Sequence, residues 1–334
     1  MKKITMTELA RLAAVDVSTV SRALADSPRV RPETKAHIRA LAEEVGYEVD
    51  VRGRSLRSGD TRTLGIVVPI DPAQGQTISD PFYLQMVGAV SHAAARRGYD
   101  LLLTIPQDEG RVAEHSLLRS GRADGLIVIG QAGRTDRLNA LADKTDRLVV
   151  WGGQVEGARY TLVGSDNVGG GRQAAAHLLA GGRQRVLFVG DTDLPEVALR
   201  YEGVRMAHAA AGEAHDPELI LPLGFGAVEP VRRIGEALAR RPDIDAVFAA
   251  SDVLAIAAIH AAGARGAGVP DDIAVVGYDD IGQAAHTTPP LTTVDQAIEA
   301  GGALMVDLLL RKLAGEAAPS QLTPTRLVVR GSAP

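Results

Sequence analysis

TMTELARLAAVDVSTVSRAL, residues 5–24, contains two short helical patterns joined by a turn too tight for anything but an angled or antiparallel helix pair. Thr5 is a good N-cap with Glu8 three residues on to close a capping box, and Leu9, Leu12 and Ala13 fall on one face. Ala14-Val15-Asp16 reads as the turn. Asp16 is a good N-cap for a second helix whose Val20 and Leu24 point inward, leaving Val17, Ser18, Ser21 and Arg22 outward. Such a helix has the shape to enter a DNA major groove, although an ordinary helical hairpin would show the same pattern.

Working outward, Pro32 is well placed in the first turn of a third helix running to about Val45, with Gly46 just past its end. Three helices make a small DNA-binding head. Residues 1–62 carry 12 Lys and Arg against 9 Asp and Glu, whereas the remainder carries 24 against 32 within a net charge of −5. A mildly basic head joined to an acidic body confines phosphate contact to one end.

The next segment, DVRGRSLRSGDTRT (50–63), is basic, polar and nearly without core-forming residues, as expected of a linker. A helical turn or two over residues 51–56 is weakened by Gly53 and would be unfolded unless bound. Leu56 between Arg54 and Arg57 has the make-up of a minor-groove wedge, an apolar tip flanked by cations; a plain tether is the alternative.

Length and composition bound the rest. A chain of 334 residues has room for such a head and two α/β lobes. It has no cysteine, hence no disulfide or thiolate metal site, which suits a reducing compartment. No apolar run approaches the roughly 18 residues of a membrane span, and MKKITMTELARL lacks the apolar stretch of an export signal. A cytoplasmic protein is expected.

From residue 64 short apolar runs alternate with amphipathic stretches, the signature of parallel sheets flanked by helices. Runs at 64–70, 99–105, 125–130 and 147–152, with helices near 82–97, 110–120 and 135–143, make one lobe. Runs at 185–190, 246–251 and 273–280, with helices near 168–180, 196–212, 228–240 and 252–265, make another. A last helix at about 295–314 and a strand at 326–330 suggest that the chain crosses back between lobes. The cleft between them is the natural ligand site.

On these residues, the chain resembles the lactose/galactose (LacI/GalR) repressor family over essentially its whole length. The resemblance is carried by TELARLAAVDVSTVSRAL, RGRSLRSG (52–59), VGSDN (163–167), ASD (250–252), VPDDIAVVGYDDI (269–281) and PPLTTVDQ (289–296). It implies a homodimer on a near-palindromic operator, hinge helices that fold on the DNA, and a core like that of periplasmic sugar-binding proteins. The expected organisation is a helix-turn-helix head at 1–48, a hinge at 49–62 and an effector-binding core at 63–334. Within that core the N-terminal lobe takes 63–163 and 295–323, and the C-terminal lobe 164–292 and 324–334.

Carried to matching positions, the resemblance puts Val17, Ser18 and Arg22 at base edges, where the Arg22 fork suits guanine, and favours the wedge reading of Leu56. It gives Thr5, Thr19, Ser21, Thr34 and Tyr47 phosphate contacts that set register, with Arg54 beside them. Asp16 stands where the family usually has serine. Arg31 precedes Pro32 where a capping residue is common, so it is expected to add a phosphate contact instead.

For the effector, Arg200 in LRYEGV and Asp279 in GYDD match positions that in family members hold sugar hydroxyls or a ligand carboxylate. An Arg fork donates and an Asp accepts, which suits vicinal hydroxyls under an aromatic face. Trp151, the one tryptophan, is the candidate face, though a tryptophan ending a strand is as commonly core. Gly152 and Gly153 depart from the family's Asp-Arg and are expected to open space for a larger glycoside. Asp80, Phe82, Tyr83, Gln131, Ser251, Asp252 and Gln296 are further candidates, Asp252 being equally placed to cap the following helix.

Enzyme readings fail on constellations. No HExxH, G-x-S-x-G or GxxxxGK[ST] occurs, and the histidines at 37, 92, 115, 177, 208, 215, 260 and 286 form no i, i+4 pair and are expected mostly at the surface. The Gly-rich GSDNVGGGR (164–172) is read as a family turn rather than a phosphate cradle. No enzyme activity, cofactor or metal is expected. The alternatives are a sugar-binding protein without a DNA role, which would need an export signal and no head, and a DNA-binding protein without an effector, against which Arg200 and Asp279 argue. Because the chain ends just after its last strand, without a leucine heptad helix, a dimer rather than a tetramer is expected.

Overall fold

Thr5 starts the first helix, α1 (Met6–Leu12), by a reciprocal cap: its hydroxyl accepts from Glu8 N at 3.2 Å while Glu8 Oε2 accepts from Thr5 N at 2.8 Å. A cap of this kind is worth about 1 kcal/mol. The computed structural model describes residues 4–47, 60–70, 75–105, 113–131, 135–213 and 216–334. The chain divides into two compact units with the boundary between Thr61 and Arg62.

In the first unit α1 is followed by α2 (Val17–Leu24) and α3 (Pro32–Glu44). Leu9, Ala10, Ala13, Val20, Ala23 and Ile38 form its core. Leu12, expected on the inward face, is 46% exposed. Leu9, Ala13 and Ala10 cluster within about 100° of the helix circumference, and Leu12 lies outside that arc. Asp16 occupies the N-cap of α2, but its side chain makes no capping bond. The turn is held instead by the backbone, Val15 N donating to Ala10 O at 3.1 Å, which leaves the exposed carboxylate to water. Arg31 likewise makes no cap at the Pro32 end of α3, as its side chain dictates. The hinge predicted over 49–62 falls almost wholly outside the described residues, and with it Arg54 and Leu56.

The second unit holds two sheets. β1 (Thr63–Val67), β2 (Asp100–Thr104), β3 (Gly125–Ile129), β4 (Leu148–Trp151), β5 (Thr161–Ser165) and β11 (Gln321–Thr323) form one, ordered β2-β1-β3-β4-β5-β11 and parallel throughout. β6 (Val186–Val189), β7 (Ile220–Leu221), β8 (Ala246–Ala249), β9 (Ala274–Asp279), β10 (Thr292–Asp295) and β12 (Arg326–Val328) form the other, ordered β7-β6-β8-β9-β10-β12, with only the β10–β12 pair antiparallel among the described residues. The continuous apolar runs predicted this: strands such as β3 and β8 are buried on both faces, as sheets covered by helices on each side require. Short strands β5, β7, β10 and β11 were not read from the sequence.

The helices follow the amphipathic stretches: α4 (Pro81–Arg96), α5 (Ala113–Arg119) and α6 (Thr135–Ala142) in the first series, then α7 (Asn167–Ala180), α8 (Pro195–Ala211), α9 (Pro230–Arg240) and α10 (Asp252–Gly263) in the second, and α11 (Ile298–Leu313) near the end. α11 returns to pack on α4 and the first sheet, so two core clusters flank each sheet. GSDNVGGGR is not a turn. Ser165 ends β5, Asp166 accepts from Gly169 N at 2.9 Å to cap α7, and the glycines lie within that helix. A Cβ at Gly171 would lie 2.0 Å from Arg200 O, so the glycines let α7 and α8 pack backbone to backbone. His208 departs from the surface expectation as well: it is 3% exposed, on the inner side of α8.

The chain passes between the two sheets three times, after β5, β10 and β11. Side-chain and backbone bonds tie the passages together: Ser165 Oγ donates to Gln296 Oε1 at 3.0 Å, Thr323 Oγ1 to Gln296 O at 3.0 Å, and Asp166 N to Thr323 O at 3.0 Å.

Candidate effector cleft and DNA-reading face

On the head, Val17, Ser18 and Arg22 lie exposed on α2, opposite the buried Val20 and Ala23. That is the outward stripe the helical period predicts. Thr19 and Ser21 on the same helix, Thr34 on α3 and Tyr47 beyond it are half-buried, and Arg31 is exposed. The Thr5 hydroxyl is engaged with Glu8 Oε2 at 2.9 Å, so any phosphate contact from Thr5 competes with the cap.

In the second unit, a cavity open to solvent is lined by Asp80, Phe82, Tyr83, Gly130 and Trp151 from the first lobe and by Glu196, Arg200, Phe225, Ser251, Asp279 and Gln296 from the second lobe and the passage after β10. Helix and strand ends deliver the groups. Asp80 caps α4 by accepting from Phe82 N at 2.9 Å, which turns Phe82 and Tyr83 into the cavity. Trp151 ends β4, only 5% exposed; a Cβ at Gly301 would lie 2.3 Å from its ring, so Trp151 is both core against α11 and cavity wall.

Arg200, on α8, is the central cation and is 4% exposed. Its Nε donates to Asn167 Oδ1 at 2.9 Å, and one terminal nitrogen donates to Ala250 O. The guanidinium carbon lies 3.7 Å from the Tyr278 ring centre and 5.9 Å from that of Phe225. Asp279 ends β9 at φ +119°, a region that costs a non-glycine residue roughly 1–3 kcal/mol and clusters at functional sites. Its Oδ1 accepts from Gln296 Nε2 at 2.6 Å. Burial pushes the Asp279 carboxyl well above the usual range, Arg200 opposing this and Asp252 and Asp80 adding to it. Burial raises Asp80 too, against the bond from Phe82.

Two expected cavity residues lie elsewhere. Gln131 is buried behind the wall, where Nε2 donates to Tyr160 Oη at 2.8 Å and Oε1 accepts from Gly153 N at 2.9 Å. Asp252 opens α10 beneath the site: Oδ1 accepts from Thr293 Oγ1 at 2.5 Å and Oδ2 from Ile281 N at 2.9 Å, so both oxygens are used, one tying α10 to β10 and the other to the loop after β9. Ser251, not Asp252, caps the helix, accepting from Leu254 N at 3.3 Å. Gly152 and Gly153 do not open space: a Cβ at 152 would lie 2.4 Å from Gln131 Oε1, and one at 153 would lie 2.9 Å from Glu196 N. Their missing side chains are replaced by a neighbouring amide and by the other lobe.

Glu196 and Phe225 were not anticipated. Glu196 sits one turn before Arg200 on α8, an i, i+4 spacing that puts both on one face. Phe225 follows β7, itself too short to be read. Burial raises the Glu196 carboxyl, its own amide and Arg200 opposing, and its Oε2 is buried without a hydrogen-bond partner among the described residues.

Two lobes joined by three passages around a lined cleft define a periplasmic-binding-protein-like ligand binder, here preceded by a helix-turn-helix head. Residues 175–333 match the periplasmic binding protein-like domain, and residues 5–50 match the bacterial regulatory proteins of the lacI family. The chain is 35% identical over 342 residues to the HTH-type transcriptional regulator CelR of Thermobifida fusca, covering 99% of this chain and 98% of that one. The protein therefore belongs to the LacI family of DNA-binding transcriptional regulators, and is a regulator rather than an enzyme. A solved complex of CelR with cellobiose superposes with a TM-score of 0.71 at 32% identity, covering 99% of this chain and 100% of that one. The Lac repressor dimer bound to operator and the anti-inducer ONPF shares the fold, with a TM-score of 0.86 at 23% identity and 99% coverage of each chain. Among the described residues no helix is long and apolar enough to cross a membrane.

Proposed function

We propose that the protein is a cytoplasmic repressor that binds a near-palindromic operator as a homodimer, and that a sugar or glycoside in the cleft controls its affinity for DNA. The observation that carries the effector reading is the meeting of Arg200 and Asp279 in one cavity under Trp151, Phe82 and Phe225: a donor fork, an acceptor and aromatic walls, the set that vicinal hydroxyls and the apolar face of a sugar ring require. The similar CelR is known in complex with cellobiose, which makes β-linked glucosides the first ligands to try. On the head, Val17, Ser18 and Arg22 read bases, while Thr19, Ser21, Arg31, Thr34 and Tyr47 hold phosphates. Ligand alters how the lobes close, which changes the spacing of the N-terminal lobes across the dimer and so the DNA-bound population.

The test is selection of genomic fragments by the purified protein at fixed salt, with and without a panel of mono- and disaccharides. A short palindrome whose affinity one sugar shifts severalfold supports the proposal. Specific binding that no sugar alters removes the effector half, and absence of specific binding removes the operator half.

A further inference from the structure

The polar lining of the cleft is unbalanced. Asp80, Glu196 and Asp279 bring three carboxyls to it, and Arg200 is the one Lys or Arg among the lining residues. Arg200 has already committed its Nε to Asn167 and a terminal nitrogen to Ala250 O. Ser251 Oγ accepts from Leu254 N and keeps its own proton, while Gln296 Nε2 donates to Asp279 Oδ1. The ionisable lining is therefore acidic on balance, three carboxyls against one partly engaged guanidinium. Glu196 stands out within it. Glu196 lines the cavity, and its Oε2 is buried with no partner among the described residues, although a buried acceptor without a donor is costly. Its backbone lies against Gly153 of the other lobe.

We propose that Glu196 is a ligand-binding residue that accepts a hydrogen bond from a hydroxyl of an uncharged sugar, and that with Asp80 and Asp279 it bars sugars carrying phosphate or carboxylate. The inference rests on reading the cleft as an effector site. A hydroxyl supplies the donor that Oε2 lacks without adding charge. An anionic substituent adds like charge beside three carboxyls and finds the guanidinium already partly engaged.

The experiment is calorimetric titration of the full-length wild type, Glu196→Gln and Glu196→Ala with cellobiose and other neutral disaccharides, and with cellobionate and glucose 6-phosphate as anionic probes. Melting temperatures of the unliganded proteins are measured alongside. The expected result is that a neutral disaccharide binds the wild type at least tenfold more tightly than either anionic probe. Glu196→Ala then loses at least tenfold for that disaccharide, and Glu196→Gln loses less and narrows the gap to the anions. Glu196→Gln is isosteric, so it keeps the comparison valid if the alanine variant fails to fold. Neutral-sugar affinity unchanged in the variants, or anionic probes binding the wild type as tightly as neutral ones, overturns the inference and leaves the effector reading standing. Binding of no sugar by any of the three proteins overturns both.

Discussion

A Cβ at position 153 would lie 2.9 Å from the amide nitrogen of Glu196, so Gly153 marks the point where the end of β4 in one lobe meets the start of α8 in the other. A second close approach lies across the same cleft, where a Cβ at Gly226 would lie 2.4 Å from Gln76 N. At both contacts glycine lets backbone lie directly against backbone, so the two lobes approach closely there.

Gly153→Ala is expected to keep the lobes apart. Both neighbours are backbone or the start of a proline-led helix and have little freedom to move. Sugar affinity should fall at least fivefold, and ligand-induced compaction in small-angle scattering should disappear, while the melting temperature changes little. Wild-type affinity in this variant would show that the contact does not govern closure.

Arg200→Ala strips a donor from Asn167 Oδ1 and from Ala250 O in a buried site. The expected cost is about 2–4 kcal/mol of stability with loss of sugar binding. Urea unfolding and calorimetry check this; a variant that keeps both stability and binding would remove Arg200 from the site.

Asp252 links stability to pH. Burial pushes its carboxyl up to about 7 against the bonds from Thr293 and Ile281. Because the folded value lies above the unfolded one of about 3.9, the stabilisation is complete below about pH 4 and is lost as pH rises through 7. Asp252→Asn keeps an acceptor for Ile281 N and turns the other bond round, its amide donating to Thr293 Oγ1. Relative to the wild type it should gain in urea midpoint between pH 5 and pH 8.5. Parallel pH profiles for the two proteins would contradict this.

His208 acts in the opposite sense. Burial holds its pKa below the ordinary value of about 6.5, Glu213 opposing, so its neutral form contributes fully above about pH 6.5 and stability is lost as pH falls below it. His208→Gln should flatten the acid side of the stability profile between pH 7 and pH 5, measured by urea midpoints. An unchanged acid limb would exclude His208 as its source.

The residues themselves explain what was legible. Buried parallel strands need continuous apolar runs, so LGIVV and AVFAA announced themselves, and the capping box at Thr5 and Glu8 is local chemistry visible in four letters. β10 and β11 are hidden because their stability comes from crossing between lobes beside Gln296, a nonlocal relation that TTVD and QLT do not express. Gly152 and Gly153 were misread for the same reason: a glycine records a missing side chain, while Gln131 and Pro195-Glu196 decide what fills the space. Glu196 looks like an ordinary acid in a first helical turn, which the helix dipole favours at any surface. Its four-residue spacing from Arg200 was the available signal.

The most direct test of the central claim is the dissociation constant of the full-length protein for its self-selected palindromic operator at fixed salt, with and without a saturating neutral disaccharide, in the wild type and in Arg22→Ala. The account predicts at least a fivefold shift with sugar in the wild type. It also predicts that Arg22→Ala weakens operator binding by about 1–3 kcal/mol, as loss of a base contact does, while sugar affinity stays as in the wild type. A sugar that binds the cleft and leaves operator affinity unchanged would contradict it.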